Sequence, residues 1–273
     1  MRTADVLRRG TDYLARHGVD APRANAEALL EAVLGVDRWA VVTSTHEPDA
    51  AQARAYGRAL CQRASGTPLQ HLTGTQQFRY LTVRVRPGVF VPRPETEVLV
   101  DVALARIDEV ASPLVADTCT GTGAVALAIA AERRDATVRG IDLSEGAVAL
   151  ARENATALGL PLDVLCGDLL EPIGGPLDLV TCNPPYIPAA IRDDLPREVR
   201  ADPDLSLFGG PEIVERLYAQ AWSRLRAGGW VVVEIEESTG PIVRGLAEDA
   251  GYHRVEVHPD LAGRPRIVAA RRP

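Results

Sequence analysis

Short apolar runs alternate with helical stretches along the second half of this chain. Each run is too short for a helix and is rich in Val, Leu and Ile, which predicts a strand that is buried on both faces. Two more runs near the end of the sequence are separated only by a loop, which favours an antiparallel pair. The pattern predicts an α/β fold with a seven-stranded, mostly parallel sheet, whose strands lie at 114–116, 137–141, 163–166, 177–182, 230–235, 254–257 and 266–270.

Residues 1–72 follow helical spacing instead. Apolar residues recur one helical turn apart after Pro22, which suits a first turn, and Gly35 is placed to end that helix. A first helix near 6–17 and a third at 49–64 complete a small N-terminal helical domain, which either binds a partner or caps the next domain. The third helix is expected to direct four side chains inward, namely Ala53, Tyr56, Leu60 and Ala64.

Strand-like alternation marks residues 82–86, between the helical part and the first strand of the sheet. Val83 and Val85 would lie on one face of an extended segment, with arginines on the other. The alternation predicts a β-hairpin linker over 73–91. It assigns residues 92–273 to the second domain.

The charged residues exclude some functions. The chain of 273 residues contains no lysine, and all 30 of its basic residues are arginines. Neither a lysine Schiff base nor the lysine of a nucleoside-triphosphate loop is therefore available. Residues 1–72 hold 9 arginines and 8 acids, and the remainder holds 21 arginines and 29 acids. Because an acidic main domain repels phosphate backbones, no direct binding of nucleic acid is expected.

The cysteines and histidines are scattered along the chain and form no metal-binding pattern. We therefore expect neither a metal site nor a disulfide framework. The first residues lack the apolar segment of a secretion signal, and no apolar run approaches the length of a membrane span. A cytoplasmic protein without membrane contact is expected.

The first strand of the predicted sheet is followed by a glycine-containing turn that opens a helix. Gly121 and Gly123 permit a ligand to approach the backbone closely. The next strand ends in Asp142, where a carboxylate can accept hydrogen bonds from two ribose hydroxyls, and Asp168 follows the third strand, within reach of an adenine amine. This order predicts a site for an adenosine-containing cofactor. The turn by itself does not exclude a dinucleotide. The dinucleotide-binding motif has glycine or alanine three residues after its second glycine, and Ala126 occupies that position here.

The sequence Asn-Pro-Pro-Tyr at 183–186 directly follows the apolar run 177–182. Two prolines can neither continue a strand ladder nor open a regular helix, so the chain must leave the sheet in a stiff, extended turn. An amide and an aromatic ring are then held at the rim of the sheet, where they suit a planar substrate that contains nitrogen. With this turn beside the glycine turn, S-adenosylmethionine fits better than a dinucleotide.

Six features occur along the chain in a fixed order, at 68–74, 91–97, 117–123, Asp142, 183–186 and 228–229. Together they resemble the peptide chain release factor N5-glutamine methyltransferases, over nearly the whole length. The similarity implies an N-terminal helical bundle that recognises the release factor and a Rossmann-like methyltransferase domain that binds S-adenosylmethionine. The reaction that the resemblance implies is methylation of the glutamine in a Gly-Gly-Gln loop.

The resemblance also implies roles for individual residues. Cys119 stands where the family commonly has glycine, and Leu169 replaces a frequent aromatic residue beside the adenine. The substrate glutamine is expected to contact Asn183, Pro184, Pro185 and Tyr186. The residues expected to contact the cofactor are Asp117, Cys119, Thr120, Gly121, Thr122, Gly123, Asp142, Asp168, Leu169 and Asn183.

A carboxamide nitrogen is a weak nucleophile, so its position relative to the methyl donor must be fixed. Our hypothesis is that the Asn183 side-chain oxygen and the Pro184 carbonyl oxygen accept the two amide N–H groups. Tyr186 would cover the amide and exclude water. Asn183, Pro184 and Tyr186 are accordingly the predicted catalytic residues.

Three other functions remain open at this point. A related enzyme could methylate a small metabolite, and an adenine N6-methyltransferase could present the same Asn-Pro-Pro-Tyr turn to a nucleic acid. A third possibility is a protein that binds cofactor or partner without transferring a methyl group. The acidic main domain disfavours the second possibility, and the intact Asn183 disfavours the third.

Overall fold

Helices form along the N-terminal part of the chain where the apolar periodicity places them. The computed structural model describes residues 2–43 and 47–273, and in these ranges the first 75 residues hold five α-helices. The second helix begins at Pro22 and is followed by Gly35 at a φ of 66°, as the sequence predicts. The five helices are α1 (Thr3–Arg16), α2 (Pro22–Leu34), α3 (Arg38–Thr43), α4 (Ala50–Ala64) and α5 (Leu69–Thr73).

Side chains of α1, α2 and α4 form one apolar core, to which Leu14, Leu30 and Tyr56 contribute. The inward face expected for α4 is partly wrong. Tyr56 and Leu60 are buried, but Ala53 is exposed. Arg63 is buried instead, because its guanidinium donates to Asn25 Oδ1 at 2.7 Å and to Glu198 Oε1 at 2.6 Å.

The Glu198 contact reflects a division of the chain into two compact units. The helical unit comprises Met1–Thr75 together with Pro196–Ala201, and the sheet unit comprises Gln76–Leu195 and Asp202–Pro273. No pattern in the sequence indicates that a short later segment returns to the helical unit. The domain limits 1–72, 73–91 and 92–273 stay a prediction.

A two-stranded sheet forms where the hairpin is expected. It consists of β1 (Thr75–Phe78) and β2 (Leu81–Arg84). Val83 and Val85 are buried and Arg84 is exposed, which confirms the predicted alternation.

All seven strands that the sequence predicts are present in the sheet unit, and helices connect most of them. The confirmed fold class is a Rossmann-like α/β sheet with an N-terminal helical region. The strands are β3 (Leu114–Thr118), β4 (Thr137–Asp142), β5 (Asp163–Cys166), β6 (Leu177–Cys182), β7 (Leu225–Glu234), β8 (His253–Pro259) and β9 (Pro265–Arg271). The helices are α6 (Glu97–Arg106), α7 (Ala124–Glu132), α8 (Glu145–Leu158), α9 (Asp204–Leu207), α10 (Pro211–Arg224) and α11 (Gly240–Asp249).

The strand order explains where a ligand can bind. The order is β5-β4-β3-β6-β7-β9-β8, with β3 to β7 parallel and β9 antiparallel to both of its neighbours. From β3 the chain continues to one side through β4 and β5, and it then returns to the other side with β6. Ligands of open parallel sheets bind at this reversal, beyond the carboxyl ends of the strands. The ends of β3 and β6 therefore define the expected site.

Neighbouring residues of each central strand point to opposite faces of the sheet. Ala116 and Val180 pack in a core with α10 and α11, whereas Val115 and Leu179 pack in a core with α6 and α7. Covering both faces makes the sheet a rigid base for the loops at its edge. In the described ranges no helix combines the length and the apolar character that crossing a bilayer requires.

Candidate active site

A cavity of about 270 Å³ opens at the carboxyl ends of the central strands. All the residues predicted to bind cofactor or substrate contribute to its lining, with the exception of Gly123. Gly123 precedes α7 at a φ of 81°, and a Cβ atom there would lie 3.1 Å from the Ala151 side chain. Its role is to let the turn enter the helix, since L side chains rarely adopt this conformation.

The turn after β3 has an unusual backbone. Cys119, Gly121 and Gly123 all have positive φ, at 55°, 57° and 81°. A Cβ atom at Gly121 would meet nothing within 4 Å, so conformation rather than crowding favours glycine there. This backbone leaves an open surface on which a ligand can lie close to the main chain.

Asp117 stabilises the turn after β3 through side-chain hydrogen bonds. It is only 1% exposed, and its carboxylate accepts from Thr120 Oγ1 at 2.6 Å and from Thr181 Oγ1 at 2.7 Å. Burial raises the pKa of Asp117 to about 6, against the lowering effect of these hydroxyls. Because Thr120 lies in the glycine turn and Thr181 in β6, Asp117 connects the two sides of the strand reversal.

Asp142 lies at the end of β4 and is half-buried at the cavity. Its Oδ2 accepts from the Gly121 amide at 2.8 Å, and its Oδ1 accepts from the Ser144 amide at 2.9 Å. Burial raises the pKa of Asp142, while these backbone donors oppose the rise. The carboxylate is therefore fixed in orientation by the main chain, and each oxygen retains capacity for a further hydrogen bond.

The third predicted acid, Asp168, forms an ion pair. Arg216 of α10 donates to it at 2.7 Å, and Arg216 also lines the cavity. Leu169 follows with a φ of 51° and is buried against the core, which places an aliphatic side chain at the cavity where an adenine ring could lie. Sequence analysis did not find Arg216, since no local motif marks it.

Asn183 follows β6 and reaches the cavity with its amide already oriented. Its Nδ2 donates to Thr96 Oγ1 at 3.3 Å. Within the described ranges no hydrogen bond is formed by its Oδ1, which is thus free to accept one from a ligand. The buried Thr96 belongs to the 91–97 segment that the sequence singles out. No role could be assigned to Thr96 from the sequence.

Tyr186 is held by a second buried group. Its hydroxyl donates to Glu234 Oε1 at 3.4 Å. Burial raises the pKa of Tyr186, so the phenol stays neutral near pH 7. Glu234 was missed by the sequence analysis, although a glutamate that directly follows the apolar residues 230–233 of β7 is a visible signal.

The rest of the 91–97 segment anchors the loops around the site. Arg93 is ion-paired with Asp202, and the Val91 amide donates to the same carboxylate at 3.2 Å. Glu97 accepts from the Arg79 amide at 3.0 Å, next to the β1–β2 turn. These contacts explain why the segment carries several polar residues that do not line the cavity.

Cys119 lies beside Cys182, the last residue of β6. The hydrogen bond with Cys182 and burial raise the pKa of the Cys119 thiol well above its ordinary value. The thiol therefore stays protonated and lines the cavity as a small, weakly polar group. Within residues 2–43 and 47–273, no cluster of three or more His, Cys, Asp or Glu side chains is arranged to hold a metal ion.

The lining fits an adenosine-containing sulfonium cofactor. The Gly121 turn offers an open backbone surface, Asp142 offers a carboxylate for hydroxyl groups, and Leu143 and Leu169 offer apolar contact for a flat ring. Asn183 and Tyr186 line the same cavity and leave room for a second ligand group. One cavity thus has groups that suit a nucleoside beside groups that suit an amide.

Comparison with known protein families divides the chain in a similar way. The family model described as the PrmC N-terminal domain matches residues 5–74, and the one described as the methyltransferase small domain matches residues 80–195. Solved structures support the fold of the sheet unit. A ribosomal protein L11 methylase from Lactobacillus delbrueckii subsp. bulgaricus has a TM-score of 0.51 at 24% identity, covering 70% of this chain and 86% of that one.

A second similar structure is a 16S rRNA methyltransferase of T. thermophilus, solved in complex with AdoMet and guanosine. It has a TM-score of 0.55 at 19% identity and covers 73% of this chain and 50% of its own. At these identities the two structures show the fold of S-adenosylmethionine-dependent methyltransferases.

Curated relatives extend over the whole chain. Release factor glutamine methyltransferase of Deinococcus radiodurans is 41% identical, and that of Moorella thermoacetica is 42% identical. Each alignment covers 100% of this chain and 99% of the relative. The Streptomyces coelicolor relative of the same name is 40% identical over 96% of this chain and 95% of its own length. By this similarity along its full length, the chain belongs to the release factor glutamine methyltransferase family.

Proposed function

We infer that this protein transfers a methyl group from S-adenosylmethionine to the side-chain amide nitrogen of the glutamine in the Gly-Gly-Gln loop of a peptide chain release factor. Family membership supports the reaction. The structural observation that carries the proposal is Asn183, whose Nδ2 is bonded to Thr96 so that its Oδ1 can accept from a substrate amide. This geometry suits a donor N–H, which a carboxamide provides.

The residues of the glycine turn and the strand ends would hold the cofactor, which supplies a methyl group on a positively charged sulfur. Asp142 would accept hydrogen bonds from the ribose hydroxyls, as its position at the end of β4 allows. Asp168 and Leu169 would contact the adenine, with Arg216 keeping the Asp168 carboxylate in place. Cys119 to Thr122 would present main-chain groups to the methionine part.

Asn183 and Pro184 would orient the substrate glutamine. The amide nitrogen shares its lone pair with the carbonyl, so the enzyme gains most by holding both N–H groups and aiming the lone pair. Asn183 Oδ1 and the Pro184 carbonyl oxygen are two acceptors on one rigid turn. Neither accepts a hydrogen bond from the rest of the described chain, and both residues line the cavity. Since the prolines fix this turn, little ordering is needed when substrate binds.

Tyr186 and Pro185 would complete the amide site. The Tyr186 ring is held by its hydrogen bond to Glu234, so it can cover the substrate amide and keep water away. A dry site strengthens the hydrogen bonds that Asn183 and Pro184 make. The methylated amide then loses its extra proton to solvent as the product leaves, and no strong base is required.

We assign recognition of the release factor to the helical domain predicted at 1–72, which the PrmC N-terminal family model also matches. The main domain carries a net negative charge, so we retain the expectation that nucleic acid is not bound directly. Methylation of a small metabolite and of adenine in nucleic acid are disfavoured by the similarity to release factor enzymes along the full length.

The proposal is tested with the purified full chain, a purified bacterial release factor and tritiated S-adenosylmethionine. We expect label in the release factor, and peptide mass spectrometry should place one methyl group on the Gly-Gly-Gln glutamine. A release factor with that glutamine replaced by alanine is the control and should stay unlabelled. Label in a metabolite extract or in duplex DNA, with none in the release factor, would refute the proposed function.

A further inference from the structure

Glu234 is a buried carboxyl group in a place where an apolar side chain would be expected. It ends β7, directly after residues that are buried in the two cores of the sheet, and it is 2% exposed. No salt bridge to Glu234 is found among the described residues, and its Oε2 has no hydrogen-bond partner there. The charge of the nearby Arg266 offsets only part of the cost of burial, and a buried carboxylate without a direct ion pair is unfavourable for folding. A functional reason for its presence is therefore worth seeking.

One hydrogen bond and one neighbouring hydroxyl link Glu234 to the amide site. The Tyr186 hydroxyl donates directly to Oε1 at 3.4 Å. The Thr96 hydroxyl is close enough to the same carboxyl group to lower its pKa, and Thr96 Oγ1 accepts from Asn183 Nδ2 at 3.3 Å. Glu234 thus lies behind both polar side chains of the Asn-Pro-Pro-Tyr turn without lining the cavity itself.

The single proton of the Thr96 hydroxyl makes this chain directional. A threonine hydroxyl has one proton to donate, and Glu234 can only accept above its pKa of about 7, where it is a carboxylate. When Thr96 donates to Glu234, its oxygen is left to accept, and the Asn183 atom that faces it must be the Nδ2 donor. Asn183 Oδ1 then points away from Thr96, and it is the atom that the proposed reaction needs.

We propose that Glu234 is a positioning residue that selects the productive orientation of the Asn183 amide through Thr96 and holds the Tyr186 ring over the substrate. This inference rests on the proposed function. Without the carboxylate, Thr96 can donate its proton to Asn183 instead. The amide can then turn so that its NH₂ group faces the substrate N–H, which repels rather than binds it.

The first test compares Glu234→Gln with Glu237→Gln in the full chain. The assays are run at pH 8, where both substitutions remove about one negative charge, but Glu237 is exposed and is three residues further along. For Glu234→Gln we expect kcat for methylation of the release factor to fall about 30-fold or more, with the Kd of S-adenosylmethionine unchanged within about twofold. Glu237→Gln should retain the wild-type kcat. Equal kcat values for wild type and Glu234→Gln would overturn the proposal.

A double-mutant cycle tests whether Glu234 acts through Thr96. Thr96→Val removes the hydroxyl and should lower kcat, whereas Thr96→Ser keeps the hydroxyl and should restore most of it. The combination of Thr96→Val with Glu234→Gln should lose little more activity than the more damaging single substitution, because both break the same chain. Fully additive losses would show that Glu234 does not act through Thr96, and the proposal would be wrong.

The outcomes separate this inference from the proposed function. If the wild-type protein fails to methylate the release factor, the proposed function fails and this inference falls with it. If the wild type is active, only the variants decide about Glu234. Should Glu234→Gln fail to fold, Thr96→Val and Thr96→Ser still decide, since equal activity of these two variants would exclude a role for the hydroxyl chain.

Discussion

The two halves of the active-site cavity are built in different ways. The half that we propose for the cofactor, called the cofactor half, consists of the turn 117–123, Asp142 and the pair at 168–169, all at the ends of successive strands. The half that we propose for the substrate, called the substrate half, combines the turn 183–186 with Thr96 and is supported by Glu234 behind the lining, and both of these residues are far from the turn in the sequence. Apart from the ion pair of Asp168 with Arg216, the first half is made of short local segments, whereas the second exists only once the sheet has assembled.

The two halves also hold their polar groups differently. In the cofactor half, Asp142 is oriented by two backbone amides, so its position follows from the course of the main chain. In the substrate half, Asn183 is oriented by the side chain of Thr96, and Tyr186 by that of Glu234. Substitutions should therefore separate cofactor binding from methyl transfer. One variant in each half tests this separation.

Asn183→Ala should have the largest effect. It removes the proposed acceptor for one substrate N–H while leaving the Asp142 side of the cavity intact. We expect kcat to fall by about 100- to 1,000-fold, which is typical for loss of one aligned hydrogen-bonding group in a catalytic site. The Kd of S-adenosylmethionine, measured by calorimetry, should change by less than about threefold.

The same variant provides its own check. If the affinity for S-adenosylmethionine fell together with kcat, cofactor binding and methyl transfer would not be separable by substitution. An active Asn183→Ala enzyme would remove the asparagine from the catalytic role altogether.

Asp142→Ala should show the opposite pattern. Loss of the carboxylate that we propose as the acceptor for two ribose hydroxyls should weaken the binding of S-adenosylmethionine about 100-fold or more, since hydrogen bonds to charged groups contribute about 1.5 to 3 kcal/mol each. At saturating cofactor much of the wild-type kcat should return. Asp163→Ala is the matched control, because this exposed aspartate is the first residue of β5 and lies away from the strand ends that form the cavity. A persistent loss of kcat at saturation would contradict the division into halves.

The contrast between the halves also describes what the sequence can predict. The strand runs, the glycine turn and the acids after each strand are local patterns, and the structure has the strands in the predicted places with Asp142 and Gly121 at the cavity. Gly123 differs, since it shapes the turn without lining the cavity. Their contacts with S-adenosylmethionine and the glutamine stay predictions.

Long-range partners leave no periodic signal, and these were missed. Thr96 lies in a segment that the family resemblance singles out, but only the folded sheet brings its hydroxyl to Asn183. Arg216 lies on α10 with no motif around it, yet it pairs with Asp168. The inward face of α4 was partly wrong for a related reason, because the buried Arg63 depends on partners from other segments of the helical unit.

Glu234 should make the free energy of unfolding depend on pH, and this dependence can be measured. Burial raises the pKa of Glu234 from 4.5 to about 7, although Thr96, the nearby Arg266 and Tyr186 lower it. A raised carboxyl pKa means that the folded protein binds more protons than the unfolded chain between these values. The free energy of unfolding therefore decreases as pH rises through this window, and it is highest with respect to this group below pH 4.5.

Glu234→Gln removes the contribution of Glu234 to this pH dependence. Asp117, whose pKa is also raised, contributes with the same sign in both proteins, so the difference between wild type and variant reports on Glu234 alone. Relative to the variant, we expect the wild type to lose on the order of 2 kcal/mol of unfolding free energy between pH 5 and pH 8, since one pKa unit corresponds to about 1.4 kcal/mol. Urea unfolding of both proteins at the two pH values measures the difference. A difference that stays constant with pH would show that Glu234 titrates normally.

Cys119→Gly should have the smallest effect, and it tests the claim that backbone conformation builds the cofactor half. Cys119 has a φ of 55°, a conformation that is unfavourable by about 1 kcal/mol for a residue with a Cβ atom. Glycine should raise the free energy of unfolding by up to that amount and leave the Kd of S-adenosylmethionine within about threefold. Cys119→Ala is the control, because it removes the thiol beside Cys182 but keeps the Cβ atom. If alanine stabilised the protein as much as glycine, the thiol rather than the backbone would be the source of the strain.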